Sequence, residues 1–315
     1  MELLRCSGSG VYVDCTVGMA GHAEKILEAS APGGFLLGID RDEEAIRYSG
    51  QRLSGFGNRV RLIRADYRMI HRILAEQTIA APSGILADLG ASMLQFTQPG
   101  RGFSFQADGA LDMRMDRTQD LTAARIVNEA SAEELTRIFR EYGEERAARR
   151  IAQRLVEARQ LAPIQTTGQL AALLKRLLPE RRNETIHPAT RIFQALRIAV
   201  NSELDGLDEF IFDAFDSLAH GGRLVVIAFH SLEDRIIKHS FQFLSAACRC
   251  SRVLMACICG GKPLSKTLTT RPVRPGAEEV GRNPASRSAR LRAIEKIDGQ
   301  APRHLWKTWL AERKE

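Results

Sequence analysis

The sequence lacks the features of a membrane-spanning or exported chain. Its 315 residues contain no apolar run near the ~20 residues that a membrane-spanning helix requires. The first five residues, MELLR, lack the apolar stretch of a secretory signal peptide. Six cysteines in a chain of this length do not indicate a disulfide scaffold. We therefore expect a cytoplasmic protein whose apolar content, 44%, suffices for one large domain or for a core with an inserted piece.

A complete dinucleotide-binding fingerprint, Gly-x-Gly-x-x-Gly, is also missing. The nearest stretch begins with a short apolar run, residues 11–13, which predicts a buried strand ending at Asp14. Gly18 and Gly21 follow, and residues 22–27 predict a helix. A strand, a glycine turn and a helix hold nucleotide-like ligands in α/β proteins, although an ordinary tight turn gives the same pattern. Because position 16 carries no glycine, a nicotinamide cofactor is disfavoured and a smaller adenosyl ligand is favoured.

Acidic residues follow four consecutive predicted strands, at Asp14, Asp40, Asp66 and Asp88. Helical segments join these strands, which is typical of a parallel sheet that binds ligands at the carboxyl ends of its strands. Asp40 lies about 20 residues after the glycine turn, where a Rossmann-like fold places a carboxylate on ribose hydroxyls. The alternative is that each aspartate only caps the helix that follows it.

The central part of the chain has a different pattern. Residues 100–105 and 111–116 show neither helix nor strand periodicity, and they predict long ordered loops over the ligand edge. Residues 122–218 have helical periodicity without a visible strand, which predicts a helical insertion between the fourth and fifth strands. Within it, His187 is expected to be a structural residue at the start of a helix.

Two candidate sites follow the fifth predicted strand, residues 221–229. His230 comes directly after it, as a general base, a substrate ligand or a structural residue; the polar and charged residues that follow favour a site role. Further on, four thiolates could hold a structural zinc ion, although their one-residue gaps are tighter than usual and free thiols are the alternative. The pattern C-x-C-x6-C-x-C comprises Cys248, Cys250, Cys257 and Cys259.

The positive charge of the chain is concentrated at its C-terminal end. Lys and Arg number 45 against 38 Asp and Glu overall, but residues 246–315 alone have 15 against 6. Such a segment attracts phosphate-rich partners, and a solvated tail is the alternative. Its arginines include Arg271, Arg274, Arg282, Arg287, Arg290 and Arg292.

The motifs, in chain order and over nearly the whole chain, resemble one family. That family is the S-adenosylmethionine-dependent methyltransferases that modify the exocyclic N4 of a cytidine in bacterial small-subunit ribosomal RNA. The resemblance implies an α/β fold, a Rossmann-like class I methyltransferase core with a helical insertion domain, acting on the decoding region of 16S rRNA. The matching stretches are residues 12–22, 38–42, 88–92, 101–105, 111–116, 142–146, 187–191, 201–203, 229–235 and 283–290.

The resemblance also implies site residues. Asp40 would hold the ribose, Tyr67 would pack on the adenine, and Asp88 and Gln95 would lie near the adenine edge or the methionine end. The full set of implied S-adenosyl-L-methionine contacts is Ala20, Gly21, His22, Asp40, Tyr67, Asp88 and Gln95. For the acceptor of an N4 hydrogen and for orienting the cytosine, our candidates are Asp88, Ser92, Asp112 and His230.

The target base must leave its stack, so stacking on Phe103 or Phe105 is expected. Arg146, Arg149, Arg191 and the basic C-terminal segment would hold phosphates of the partner, small-subunit rRNA or the small ribosomal subunit. A homodimer is left open. Among other classes, a small-molecule methyltransferase and a non-catalytic RNA-binding protein remain as alternatives.

We expect three segments: a first part of the methyltransferase core, residues 1–118, a helical insertion for RNA recognition, residues 119–203, and a second core part with the basic segment, residues 204–315. The sequence departs from the family pattern in two places. The lead before the first strand is shorter than the family normally has, which leaves the true start of the chain in question. Ala20 stands where family members often have glycine. The cysteine pairs occur only in some members and cannot be essential to the reaction.

Overall fold

The computed structural model describes residues 1–177, 189–251, 255–257 and 259–313. The contacts divide the chain into two compact units. The first, called the sheet unit here, combines Met1–Gly90 with Gly206–Glu315, and the second, the helical unit, is Ala91–Asp205. The helical unit thus starts earlier than the residue 119 expected from the sequence. The prediction for His187 lies outside the described residues.

The described residues of the sheet unit form a seven-stranded sheet in the order β3-β2-β1-β4-β5-β7-β6. The first five strands of that order are parallel, and β7 pairs antiparallel with both β5 and β6. This topology confirms the Rossmann-like α/β fold. The strands are β1 (Val11–Asp14), β2 (Phe35–Asp40), β3 (Val60–Arg64), β4 (Gly84–Asp88), β5 (Arg223–Ala228), β6 (Ser265–Thr267) and β7 (Arg290–Lys296).

Helices connect the strands and build the helical unit. No helix in the described ranges is long and apolar enough to cross a membrane. In chain order the helices are α1 (Gly21–Ala29), α2 (Glu43–Arg52), α3 (Ile70–Glu76), α4 (Met93–Thr97), α5 (Ala123–Glu129), α6 (Ala132–Glu141), α7 (Ala148–Leu161), α8 (Thr167–Leu177), α9 (Ala189–Asn201), α10 (Leu207–Ser217), α11 (Ser231–Ser245), α12 (Ala277–Arg282) and α13 (Trp306–Ala311).

The central strands of the sheet are buried on both faces, which explains their continuous apolar runs. Successive side chains point to opposite faces, so Val13 and Ile85 join one core cluster with Phe210 of α10. Tyr12 lies on the opposite face, in a second cluster with Ile26 of α1. Helices on both sides of the sheet leave the ends of the strands as the places where a ligand can reach it.

The helical unit has its own core, and the long loop before α5 is part of it. Leu111 and Met113 of this loop are buried with side chains of α6, α7 and α9. The side chain of Asn201, at the end of α9, holds the loop by donating to the carbonyl of Met113 at 2.7 Å and accepting from the N–H of Met115 at 2.8 Å. The loop thus supplies part of this core, and its predicted position over the ligand edge stays a prediction.

Arginines of the basic segment do not form one free surface. Arg292 is buried and donates from Nε and Nη2 to Asp234 of α11 at 2.6 and 3.2 Å, and Arg290 adds a contact of 3.2 Å. Burial alone would raise the pKa of Asp234, but the two guanidinium groups lower it. The expectation that the whole segment serves phosphates is therefore corrected for Arg290 and Arg292, which fasten β7 to α11.

Removing the buried Arg292 from the cluster of Arg290, Arg292 and Asp234 should destabilise the sheet unit. We expect Arg292→Met to lower the free energy of unfolding by about 2–4 kcal/mol, because Asp234 would keep a buried charge with one weaker partner. Arg290→Met is the matched control, with an expected loss below about 1 kcal/mol, since this side chain is more exposed. Urea titration followed by circular dichroism measures both, and equal losses would contradict the assignment.

Candidate ligand site of the sheet unit

Three neighbouring strands end in carboxylates on the same edge of the sheet. Strand β1 pairs with β2 on one side and with β4 on the other, in parallel register. Asp14, Asp40 and Asp88 are the last residues of these strands. The fourth acid of the predicted edge, Asp66, is instead held by the N–H and guanidinium of Arg68, which lower its pKa although burial would raise it.

Asp40 is fixed by two backbone donors. The N–H of Gly18 donates to Oδ2 and the N–H of Asp42 donates to Oδ1, each at 2.9 Å. Gly18 has φ +48°, a conformation that glycine adopts without strain, and this aims its N–H at the carboxylate. Each oxygen keeps a further lone pair, so the group can accept two hydroxyl hydrogens. Burial raises the pKa of Asp40.

The glycine turn is held in place from α2. Arg52 donates to the carbonyl of Met19 at 3.0 Å and pairs with Glu24 of α1 at 2.6 Å. Ala20 is fully buried at the start of α1 with φ +61°, in the left-handed region. A non-glycine residue there costs about 1–2 kcal/mol, which gives a physical reason why glycine suits this position. Gly21 begins the helix, and open space surrounds the position of a Cβ atom there.

The carboxyls of Asp14, which is fully buried, and of Asp88, which is partly buried, have incomplete hydrogen bonding. Among the described residues, Oδ2 of Asp14 and Oδ1 of Asp88 have no partner. Oδ1 of Asp14 accepts from the N–H of Thr16, and Oδ2 of Asp88 lies 3.6 Å from Nδ1 of His22. Burial raises the pKa of Asp14 to about 6 and, together with the charge of Glu233, that of Asp88 to about 7. Orphaned acidic oxygens of this kind suit a ligand that carries positive charge.

Tyr67 lies beyond the end of β3, in a short 3-10 turn, Tyr67–Met69, that Asp66 caps. Its ring packs edge-on against Phe210 with a centroid distance of 4.6 Å. Burial raises the pKa of its phenol, so the hydroxyl stays protonated. A neutral aromatic ring packed against the core is consistent with the predicted contact to adenine.

His230 is placed by the structure as the N-cap of α11. Its Nδ1 accepts from the N–H of Glu233 at 3.4 Å, and Nε2 lies 3.2 Å from Oε1 of the same residue. The other oxygen of Glu233 accepts from the N–H of Phe229 at 3.0 Å. The imidazole is only 7% exposed. The contact of Nδ1 fits the structural alternative for His230, whereas Nε2 has no hydrogen-bond partner among the described residues. The catalytic role of His230 therefore stays a prediction.

Each predicted site residue of the helical unit has a hydrogen-bond partner within that unit. Ser92 and Gln95 form a reciprocal capping box at the start of α4, with N–H···O distances of 3.3 and 3.0 Å. Asp112 accepts two hydrogen bonds of 2.8 Å from the guanidinium of Arg114, which lowers its pKa although burial would raise it. These contacts give each of the three residues a structural reason for its presence.

The aromatic residues expected to stack on a base are also packed inside the helical unit. Phe103 is buried, and Phe105 lies edge-on to Phe193 with a centroid distance of 4.9 Å. Phe96, which sequence reasoning did not single out, is 37% exposed on α4 beside the exposed Met93. The sequence does not predict α4, because a five-residue helix gives almost no periodic signal. For that reason Phe96 was not recognised as an exposed aromatic residue.

The parallel sheet, the aspartate bound to the glycine turn and the orphaned acidic oxygens fit an adenosyl ligand with a cationic end. This edge places the protein among the Rossmann-like methyltransferases that use S-adenosylmethionine. A family model described as the MraW methylase family matches residues 1–297. The chain belongs to that family.

Relatives of similar length agree with this assignment. The chain is 50% identical over 298 residues to "Ribosomal RNA small subunit methyltransferase H" of Symbiobacterium thermophilum, and the match covers 94% of each of the two chains. It is 51% identical over 289 residues to the protein of the same name from Geotalea daltonii, covering 91% of this chain and 93% of that one. The same name belongs to a Geobacter protein, 49% identical over 298 residues, covering 94% and 96%.

Ionisation of the two orphaned carboxyls should control cofactor affinity. We expect S-adenosylmethionine to bind more tightly as the pH rises from about 5 to 8, because Asp14 and Asp88 lose their protons and attract its sulfonium and ammonium charges. Titration calorimetry measures this dependence. The pH dependence of the affinity should be weaker for S-adenosylhomocysteine, which lacks the sulfonium charge. It should also be weaker for S-adenosylmethionine binding to the Asp88→Asn variant.

Nδ1 of His22 lies 3.6 Å from Oδ2 of Asp88, so the same measurement with His22→Gln is the control for the neighbouring imidazole. An affinity for S-adenosylmethionine that stays constant between the two pH limits would contradict the predicted role of the orphaned oxygens.

Proposed function

We infer that this chain transfers the methyl group of S-adenosylmethionine to the exocyclic N4 of a cytidine in small-subunit ribosomal RNA. Membership of the MraW methylase family and the high identity to small-subunit rRNA methyltransferases carry this function. The bound cofactor supplies a methyl group activated by a positively charged sulfur. The residues of the chain then have to bind the cofactor, exclude water and handle a proton.

We propose that Asp40 holds the ribose and that Asp14 and Asp88 provide the negative potential for the charged end of the cofactor. Support comes from the two N–H donors that fix Asp40 while leaving lone pairs on both of its oxygens. Loss of the sulfonium charge on transfer weakens the attraction of Asp14 and Asp88 for the product. Product release would then be easier than loss of the unreacted cofactor.

Asp88 is our choice for the acceptor of an N4 hydrogen. The N4 amine is a poor nucleophile because its lone pair is delocalised into the ring, and an acceptor on one of its hydrogens localises that pair. Of the four candidates, Ser92 and Asp112 have structural partners, whereas Oδ1 of Asp88 and Nε2 of His230 have no hydrogen-bond partner among the described residues. Nε2 of His230 lies 3.2 Å from a carboxylate oxygen of Glu233, which makes Asp88 the more open acceptor of the two. A pKa of about 7 suits a group that takes a proton as the methyl arrives.

For RNA binding we propose exposed arginines. In the helical unit, the exposed Arg146 lies just before α7 and the exposed Arg149 lies in its first turn. In the sheet unit, the exposed arginines are Arg271, Arg274 and Arg287. Arg191 lies 3.8 Å from Glu145, which leaves it less available for phosphates. The reaction would occur in the cytoplasm, where the rRNA is. The homodimer stays a prediction from the sequence, and light scattering of the purified chain tests it.

Loss of the ribose carboxylate should weaken cofactor binding. We expect Asp40→Ala to raise the Kd for S-adenosylmethionine by roughly 5- to 150-fold, as for about 1–3 kcal/mol lost with a hydrogen-bonding partner. Asp298→Ala is the control, because this aspartate is exposed after β7 and supports none of the proposed cofactor contacts. Circular dichroism first verifies that both variants are folded, and titration calorimetry then measures their Kd for S-adenosylmethionine. An unchanged Kd for Asp40→Ala would rule out the ribose contact.

If Asp88 accepts the N4 hydrogen, variants of Asp88 and of His230 should differ in turnover. With methyl-labelled cofactor and small ribosomal subunits, Asp88→Asn should lower turnover by about 10²-fold or more at saturating cofactor. His230→Asn should retain most of the turnover, because asparagine also caps a helix. Mass spectrometry of the rRNA locates the methyl group. Full activity of Asp88→Asn would overturn the acceptor role, whereas no labelled cytidine with the unmodified protein would overturn the proposed function itself.

A further inference from the structure

The segment between α11 and β6 brings four cysteine sulfurs together. The Sγ atom of Cys257 lies 3.7 Å from that of Cys248, 3.9 Å from that of Cys250 and 3.5 Å from that of Cys259. Cys248 and Cys259 are 3.8 Å apart, and all four sulfurs lie within 4.8 Å of one another. All four cysteines are free of disulfide bonds. Residues distant in the chain by up to eleven positions thus share one small volume.

These distances match the edges of a metal–thiolate tetrahedron. A zinc–sulfur bond of about 2.3 Å in a tetrahedral site places the sulfurs about 3.8 Å apart. A disulfide would require about 2.0 Å. Four mutually close thiols without a metal would have to pack sulfur against sulfur, two of them at the exposed Cys248 and Cys257. A single ion at the centre of the four sulfurs accounts for their arrangement more simply.

A buried cation next to the sulfurs gives the second, independent observation. The side chain of Arg249 is only 2% exposed. Its guanidinium donates to the carbonyls of Phe243, Leu244 and Lys262 at 2.8–3.0 Å, and no carboxylate of the described residues pairs with it. A buried charge without a counter-charge is strongly destabilising. Four thiolates around one Zn²⁺ carry a net charge of −2, which would balance Arg249.

The backbone around Cys259 is shaped to support a thiolate. The N–H of Arg249 donates to Sγ of Cys259 at 3.2 Å, and the N–H of Gly261 is a second donor to it. Gly260 and Gly261 have φ +81° and +64°, a turn that residues with a side chain rarely adopt. Donors to a ligating sulfur orient it and stabilise its charge, as second contacts do in other metal sites.

We propose that Cys248, Cys250, Cys257 and Cys259 bind one structural Zn²⁺ as a tetrathiolate site. Its position gives it a mechanical role in the sheet unit. Arg249 caps the last carbonyls of α11 and lies over the ring of Phe243, which packs on Trp306 and Trp309 of α13. The ion would therefore hold the end of α11, the approach to β6 and the C-terminal helix as one piece, away from the chemistry of the ligand edge.

Metal analysis of the full chain tests the site. Purified under reducing conditions with Zn²⁺ and then freed of loose metal, the protein should contain one zinc per chain by plasma mass spectrometry. Cys257→Ser should lose at least ten-fold in zinc affinity, whereas the control Cys6→Ser, outside the cluster, should keep the zinc. Removal of zinc by a strong chelator should lower the thermal unfolding temperature of the unmodified protein, and added Zn²⁺ should restore it.

A second measurement keeps the test decisive if the Cys257→Ser variant does not fold. Co²⁺ added to the chelated, unmodified protein should give a sulfur-to-cobalt charge-transfer band and the strong visible bands of a tetrahedral thiolate site. A chain that binds no zinc and gives no such Co²⁺ spectrum would overturn the proposal. Iron found in place of zinc after purification, with Zn²⁺ failing to displace it, would equally overturn it.

Discussion

The pair of backbone N–H groups that hold Asp40 constrains the rest of the ligand edge. Gly18 and Asp42 come from different turns, so a single carboxylate ties the loop after β1 to the loop after β2. The position of α1, and with it the donors at its start, follows from that tie. In the proposed role of Asp40 the same oxygens also accept from a ribose, so the fold and the binding site would use one side chain for two purposes.

The orphaned oxygens of Asp14 and Asp88 add a cost to the stability of the fold. Burial without a partner disfavours their ionised forms, as their raised pKa values indicate. A cationic cofactor at this edge would restore their charge balance, and the protein would then be more stable when loaded. Strain of this kind at a binding site is a known compromise between stability and activity.

The features that could be predicted from the sequence are those encoded locally. Apolar runs ending in aspartate located the parallel strands, and the helical period located most of the insertion. Side-chain pairings could not be predicted, whether local or distant. Nothing in the pattern distinguishes a ligand contact of Asp66 from its pairing with Arg68, two residues on, or a ligand contact of Asp234 from its pairing with Arg292 on β7. For His230 the pattern leaves both roles open, since an N-cap and a catalytic residue share the place after a strand. The three-residue β6 is too short to give a periodic signal.

The two outer strands of the sheet bear on how the chain behaves before it has finished folding. An edge strand offers unpaired N–H and C=O groups on which another chain can add a strand and start an aggregate. Here β6 is only three residues long and exposes Lys266, and β3 carries Arg61 and Arg64 at the other edge. The shortness of β6 and the charged side chains at both borders discourage such intermolecular pairing while the sheet forms.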